Sequence, residues 1–165
     1  MAKTSNRLRK KLIGRKEFHG ILDVTDPCYN KDVWCRIKTP APVKTGEYTC
    51  RTWTRSSKEE YDGKTWTDTR VGVIGIYLND CIPLQDAMEE IGEIGVDAGM
   101  AGFFMDKPDY DDQQWECLCN STRKGDAWIR DEGFFSSSGY GDGCYPVYAT
   151  KTPEGEIVAL EIRFL

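Results

Sequence analysis

The sequence predicts a mainly β (α+β) fold: a single antiparallel β-rich domain, sandwich or barrel-like, with one or two short helices. Three observations predict it. Segments rich in Thr, aromatic and β-branched residues recur, most plainly 46–55 (GEYTCRTWTR) with alternating faces and 70–78 (RVGVIGIYL), which reads as a buried strand. Turn formers punctuate them, among them Thr25-Asp26-Pro27, Asp62-Gly63 and Thr152-Pro153-Glu154-Gly155. Helical spacing is confined to two short stretches.

In chain order, 19–24 reads as a short strand closed by Thr25-Asp26-Pro27, and 34–38 as another, stopped by Pro40 and Pro42. Strand 46–55 follows, then a polar stretch whose Asp62-Gly63 signals a hairpin. In 70–78, Gly72 and Gly75 suggest a bulge or a closely approaching backbone. Pro83 opens a helix through Ile91, and Pro108 opens a second over 109–119, where Tyr110, Gln114, Cys117 and Leu118 keep helical spacing. Strands resume at 93–97, 101–105, 126–130, 133–137, 144–150 and 156–164, the last two joined as a hairpin. Val73, Ile74, Ile76, Val158, Leu160 and Ile162 are the expected core.

The 165 residues suffice for one domain, and five Trp, eight Tyr and six Phe suit a globular chain with a net charge of −5. No apolar run approaches the ~20 residues of a membrane span, and the first sixteen residues lack the apolar region of a signal peptide. Lys3, Arg7, Arg9, Lys10, Lys11, Arg15 and Lys16 precede the first acid, Glu17. Residues 1–16 are therefore expected as a basic, flexible arm on an acidic domain spanning 17–165. Only that arm could meet nucleic acid, because an acidic body repels phosphate.

Seven cysteines, odd in number and irregularly spaced, suit free thiols in a cytoplasmic setting better than a disulfide framework. With Cys117-Leu118-Cys119 the only close pair and His19 the only histidine, neither a zinc site nor a Cys–His nucleophile is expected. No metal or cofactor is assigned.

Three segments depart from ordinary strand and turn usage: Asp26-Pro27-Cys28-Tyr29, Val96-Asp97-Ala98-Gly99 and Ser138-Gly139-Tyr140-Gly141-Asp142-Gly143-Cys144-Tyr145-Pro146-Val147-Tyr148. Each sets a carboxylate beside Gly or Pro. Glycines admit positive φ and close approach of a ligand, and tyrosines offer a flat face with a hydroxyl. Equally, such an Asp can cap a turn through backbone N–H groups. The candidate ligand-binding residues are Asp97, Phe103, Phe104, Tyr140, Asp142 and Tyr145.

These segments carry a resemblance. The chain resembles the bacterial domain-of-unknown-function 4241 family in the Asp-Pro element, in Gly46-Glu47-Tyr48, and in Val96-Asp97-Ala98-Gly99 with Phe103, Phe104 and Asp106. It also resembles that family in its closing block from Ser138 through Phe164. It departs in Tyr140, where Trp is usual, and in Arg163, where an Asp often precedes the final Phe. The resemblance covers roughly residues 20–164 and implies one domain with weight on its Gly/Asp loops, without supplying a mechanism.

Three functions compete. The first is non-enzymatic binding of a small polar or nucleotide-like ligand, as a sponge for signalling nucleotides in bacteria–phage conflict would require. Aromatic rings would stack on a base and loop N–H groups would hold anionic oxygens. The second is a metal-dependent hydrolase or phosphodiesterase using Asp26, Asp97 and Asp142; no familiar catalytic motif accompanies them. The third is an immunity-type protein partner presenting an acidic face.

Overall fold

The computed structural model describes residues 7–30 and 35–165. Its elements run β1 (Arg9–Gly20), β2 (Asp23–Thr25), β3 (Ile37–Lys38), β4 (Val43–Tyr61), β5 (Lys64–Leu78), β6 (Glu89–Val96), β7 (Met100–Phe104), α1 (Asp112–Ser121), β8 (Ala127–Arg130), β9 (Gly133–Ser137), β10 (Gly143–Lys151) and β11 (Ile157–Arg163). The strands form a six-stranded sheet, ordered β1-β4-β5-β11-β10-β6, and a five-stranded sheet, ordered β3-β2-β7-β9-β8. The pairings are antiparallel apart from one parallel bridge, Ile157 with Val43, and the sheets do not close into a barrel.

One core joins the two sheets. Phe18, Tyr48, Ile74, Ile76, Leu160 and Ile162 from the larger sheet pack with Val24, Phe103 and Phe134 from the smaller. Each sheet's outer face has its own cover. Phe104, Phe135 and Trp128 lie beneath Leu118 of α1, while Tyr77, Ala159 and Tyr148 lie against Ile82 and Met88 of the segment linking β5 to β6. Val158 is half-buried rather than a core residue, because a register shift leaves it unpaired between Thr150↔Ala159 and Lys151↔Ile157 and so gives the shared core to Ile157, Leu160 and Ile162.

The β4–β5 hairpin is longer than its hydrophobic pattern suggests. Asp62 and Gly63, with φ of 51° and 72°, close it as a two-residue turn between Tyr61 and Lys64. Gly72 is a bulge: Trp53 pairs with Val73 and Thr54 with Val71, leaving Gly72 without a partner on β4.

Several sequence expectations are corrected. Residues 9–16 are not a flexible arm: they belong to β1, paired with β4 from Arg9↔Thr54 to Gly20↔Val43, and residues 1–6 lie outside the described ones. The expected strand 19–24 is two strands, split where Gly20 turns at a φ of 74° and the chain passes from one sheet to the other. Strand 34–38 is reduced to Ile37–Lys38; Trp34 lies outside the described residues. The helix from Pro83 is only a 3-10 turn, Gln85–Ala87, since Glu89–Val96 is drawn into the sheet by β10. Its two glycines already argue against a continued helix. The second helix begins at Asp112 rather than near Pro108, because Asp111 and Gln114 form a reciprocal capping box.

Ile76 is fully buried between the sheets. Its truncation to Ala should lower the stability measured by denaturant unfolding by about 2–5 kcal/mol.

Candidate functional site

The structure brings the three Gly/Asp segments together at one end of the sheets, and Asp26 is what ties them. Its side chain is fully buried. One oxygen accepts the N–H of Cys28 at 2.9 Å; the other accepts those of Asp97 at 3.0 Å and Ala98 at 2.7 Å. Burial raises its pKa, and the three amide donors oppose that rise. Ser138 N–H donates to the carbonyl of Gly99, joining the third segment to the second. Asp26 therefore anchors loops, and its acceptor sites face protein amides rather than a ligand.

The proposed ligand residues divide. Asp97 is exposed and accepts the Tyr29 hydroxyl, which pushes the phenol up to about 12. Asp142 is exposed near Asp26. Tyr145 turns inward: its hydroxyl donates to the Gly141 carbonyl at 2.7 Å and its ring meets Phe164 edge-on at 5.0 Å. Tyr140 is exposed but turned toward Arg70, whose guanidinium lies 5.0 Å from its ring. Phe103 and Phe104 are corrections. Successive strand residues face opposite ways, so Phe103 enters the shared core and Phe104 the layer under α1; both are fully buried and offer no ring to a ligand.

Beside this end lies a buried polar strip. Arg36 Nη1 is 3.2 Å from Asp23 Oδ2, with both side chains 5% exposed. Lys107 is wholly buried, donates to the Pro108 carbonyl at 3.1 Å and sits 4.0 Å from the Tyr110 ring centre. Burial first, then the Arg36 charge, pulls its pKa down to about 8. Burial also holds the neighbouring Cys28 thiol up near 12, the protonated and unreactive form. Among the described residues, no group of three or more His, Cys, Asp or Glu side chains is placed to hold a metal ion.

A better-formed concavity lies on the outer face of the six-stranded sheet. This cleft of about 210 Å³ is lined by Leu8, Trp53, Val73, Ile82, Pro83, Leu84, Gln85 and Glu161. Its floor is a hydrogen-bonded relay. Trp53 Nε1 donates to the Tyr77 hydroxyl at 3.1 Å, and Tyr77 donates to Glu161 Oε2 at 2.6 Å. Arg163 Nε donates to Glu161 Oε1 at 3.2 Å, and its Nη2 to the Gln85 carbonyl at 2.9 Å. The Arg163 guanidinium also stacks 3.6 Å from the Tyr148 ring. Burial, with Glu161 beside it, raises the Tyr77 phenol so that it stays a donor. Gly75, opposite Glu161 on β5, leaves room for the Tyr77 hydroxyl, which would lie 2.2 Å from a Cβ there.

A two-pronged ion pair ties the start of the segment that carries Ile82 to β4. Arg51 Nε and Nη2 donate to the two oxygens of Asp80 at 2.8 and 2.9 Å, and Thr49 adds a third bond, lowering the Asp80 pKa to about 2. Trp53 and Leu8 line a second, open concavity, together with Arg7, Arg9 and Lys10. The sequence singled out Arg7, Arg9 and Lys10 as a basic arm, and Gly75 and Arg163, but not Trp53, Tyr77 or Glu161 as site residues. The available signal was Glu161 interrupting an apolar strand opposite Gly75 and Tyr77.

Comparison of the chain with protein-family models, with curated proteins and with solved structures finds no match.

Two measurements separate anchoring groups from open ones. Asp26→Asn sets an amide against buried N–H donors and should cost about 1–3 kcal/mol in denaturant unfolding, whereas Asp142→Asn should stay within about 0.5 kcal/mol. Lys107 supplies a pH test. Its native pKa lies below the unfolded value, so the unfolded chain binds more protons between pH about 8 and 10.5. Stability relative to Lys107→Met should therefore rise across that window by on the order of 1–3 kcal/mol, and the charged form should cost stability below it.

Proposed function

We propose that the chain binds a small, polar, nucleotide-like ligand on the outer face of the six-stranded sheet, without catalysing a reaction on it. The observation carrying this reading is the double position of Trp53. Its indole forms a wall of the apolar cleft on one side and of the Arg7–Arg9–Lys10 surface on the other. A base against the indole would have phosphate oxygens beside those cations. Glu161, at the floor, has acceptor lone pairs beyond the two used by Tyr77 and Arg163 for the donor edge of a base. The relay from Trp53 to Gln85 holds the indole in place before a ligand arrives, which reduces the entropy lost on binding.

Binding is favoured over catalysis by the lining itself. No Ser, Cys or His stands among the cleft residues, and Glu161 is held by two donors rather than poised beside a nucleophile. Sequestration of a signalling nucleotide needs nothing further. Seven free cysteines favour a cytoplasmic setting for it. The resemblance to the domain-of-unknown-function 4241 family remains part of the proposal. Its support is that the shared blocks fall on the loops joined through Asp26 and Ser138.

A thermal-shift panel of mono-, di- and cyclic nucleotides tests the reading, because a ligand of the native state raises the midpoint. Trp53→Phe and Lys10→Glu should each weaken the binding at least tenfold, about 1.4 kcal/mol, with the ligand-free midpoint of Lys10→Glu unchanged. A panel without any shift, or equal affinity in both variants, rules the site out.

A further inference from the structure

We infer that the chain pairs with a second copy of itself through the free edge of β5, centred on Trp66. β4 and β5 continue past the body of the sheet as a two-stranded ribbon. The pairing of β1 with β4 starts at Arg9↔Thr54, and that of β11 with β5 stops at Arg163↔Val73. From Ser56 and Thr69 out to Tyr61 and Lys64 the strands' ladder is only with each other among the described residues, while Arg70 at the base reaches Gly139 and the Tyr140 ring. Ribbons of two strands are marginal in water unless a further strand or a packed face supports them. This one exposes Tyr61 at 77% and Trp66 at 49%.

The β5 edge keeps a regular ladder, its blocking devices being limited to the charges of Lys64 and Asp68. From Lys64 to Thr69 it has no proline and no register shift, and it alternates threonines with Lys64, Trp66 and Asp68. Tyr61 and Lys64 flank a two-residue turn and form a hydrogen-bonded pair, so the antiparallel alternation aims the backbone groups of Lys64, Trp66 and Asp68 at β4. Those of Thr65, Thr67 and Thr69 face outward, open to a further strand.

Charge selects both the occupant and the register. The ribbon carries Arg55, Lys58, Lys64 and Arg70 against Glu59, Glu60, Asp62 and Asp68, a balance of zero on a chain of net −5. A strongly basic or acidic partner would find no matching field there. A two-fold axis at Trp66 sets Lys64 opposite Asp68 of the second copy, whose carboxylate also accepts from its own Arg70 Nε at 3.0 Å, and sets the two indoles against each other. Thr65 and Thr67 then exchange both backbone hydrogen bonds across the axis. Moving the axis one residue loses that ion pair either way: at Thr65, Lys64 falls opposite Trp66, and at Thr67 it opposes Arg70.

Sedimentation equilibrium of the full chain, over a wide concentration range at low salt, tests this directly. The wild-type chain should self-associate to a dimer. Thr67→Pro removes an outward N–H and no bond of the β4–β5 ladder, so it should weaken the dimer at least tenfold, with the unfolding midpoint unchanged at dilutions where both chains are monomeric. K64D, which opposes two acids, should weaken it similarly, and K64D/D68K should recover affinity relative to K64D. A wild-type chain that stays monomeric, or a dimer as tight with Thr67→Pro or with K64D, overturns the inference. A double variant no tighter than K64D overturns the register.

Discussion

The bulge at Gly72 is the constraint on which the distinctive parts of this fold depend. Without it, Val71 and Val73 would share one face of β5. With it, Val71 stays in the shared core while Val73 lines the outer cleft. The carbonyl of Gly72 accepts the N–H groups of Phe164 at 2.7 Å and Leu165 at 3.2 Å, so the chain's end is fastened at the same point where β11 leaves β5. A Cβ at Gly72 would come within 2.7 Å of the Leu8 side chain and 3.4 Å of the Trp53 carbonyl. One glycine therefore marks the boundary between packed sheet, outer cleft and projecting ribbon.

The two ends of the molecule show how differently a buried carboxylate can be used. Asp26 has backbone amides on both oxygens, and its charge is consumed in holding three loops in register. Glu161 also has two donors, but both are side chains, and one of them, Tyr77, is in turn engaged by Trp53. Amides fixed in a turn position a loop and leave it closed. Side-chain donors couple the carboxylate to an aromatic wall that faces open space. That contrast in donor type moves the functional reading from the Gly/Asp loops to the outer face.

Much of the architecture was legible because it rests on local chemistry. Asp62-Gly63 read as a hairpin turn and Gly72 as a bulge because both need backbone conformations or approaches that glycine favours. The expected helix at Pro83 failed for a non-local reason: Glu89–Val96 pairs with β10, far along the chain from Gly143↔Val96 to Ala149↔Glu89, and that ladder overrides propensity. Strand formation by residues 9–16 was hidden in the same way, since their charges stand on a solvent-facing edge strand whose partner is β4. The clustering of Asp26, Asp97 and Asp142 could be anticipated from residue type. The burial of both Phe103 and Phe104 could not, because it needs both faces of the smaller sheet covered, Phe103's by the larger sheet and Phe104's by α1.

The outer cleft and the ribbon edge share a hairpin but not a surface. Along β4, Trp53 and Glu59, the residue paired with Trp66, are six positions apart. At roughly 3.3 Å per residue that separation is about 20 Å. Addition of a strand at the β5 edge also extends the sheet laterally, in the hydrogen-bonding direction, whereas the cleft opens along the perpendicular, out of the sheet face. A ligand at Trp53 and a second chain at Trp66 therefore make no competing demand on the same atoms. The β4–β5 ladder joins them, and Gly72 sits where they part, setting the position of Val73 on one side and the departure of the ribbon on the other. Coupling between the two sites would require the bulge to shift, and its two hydrogen bonds to the last residues of the chain hold it against that movement.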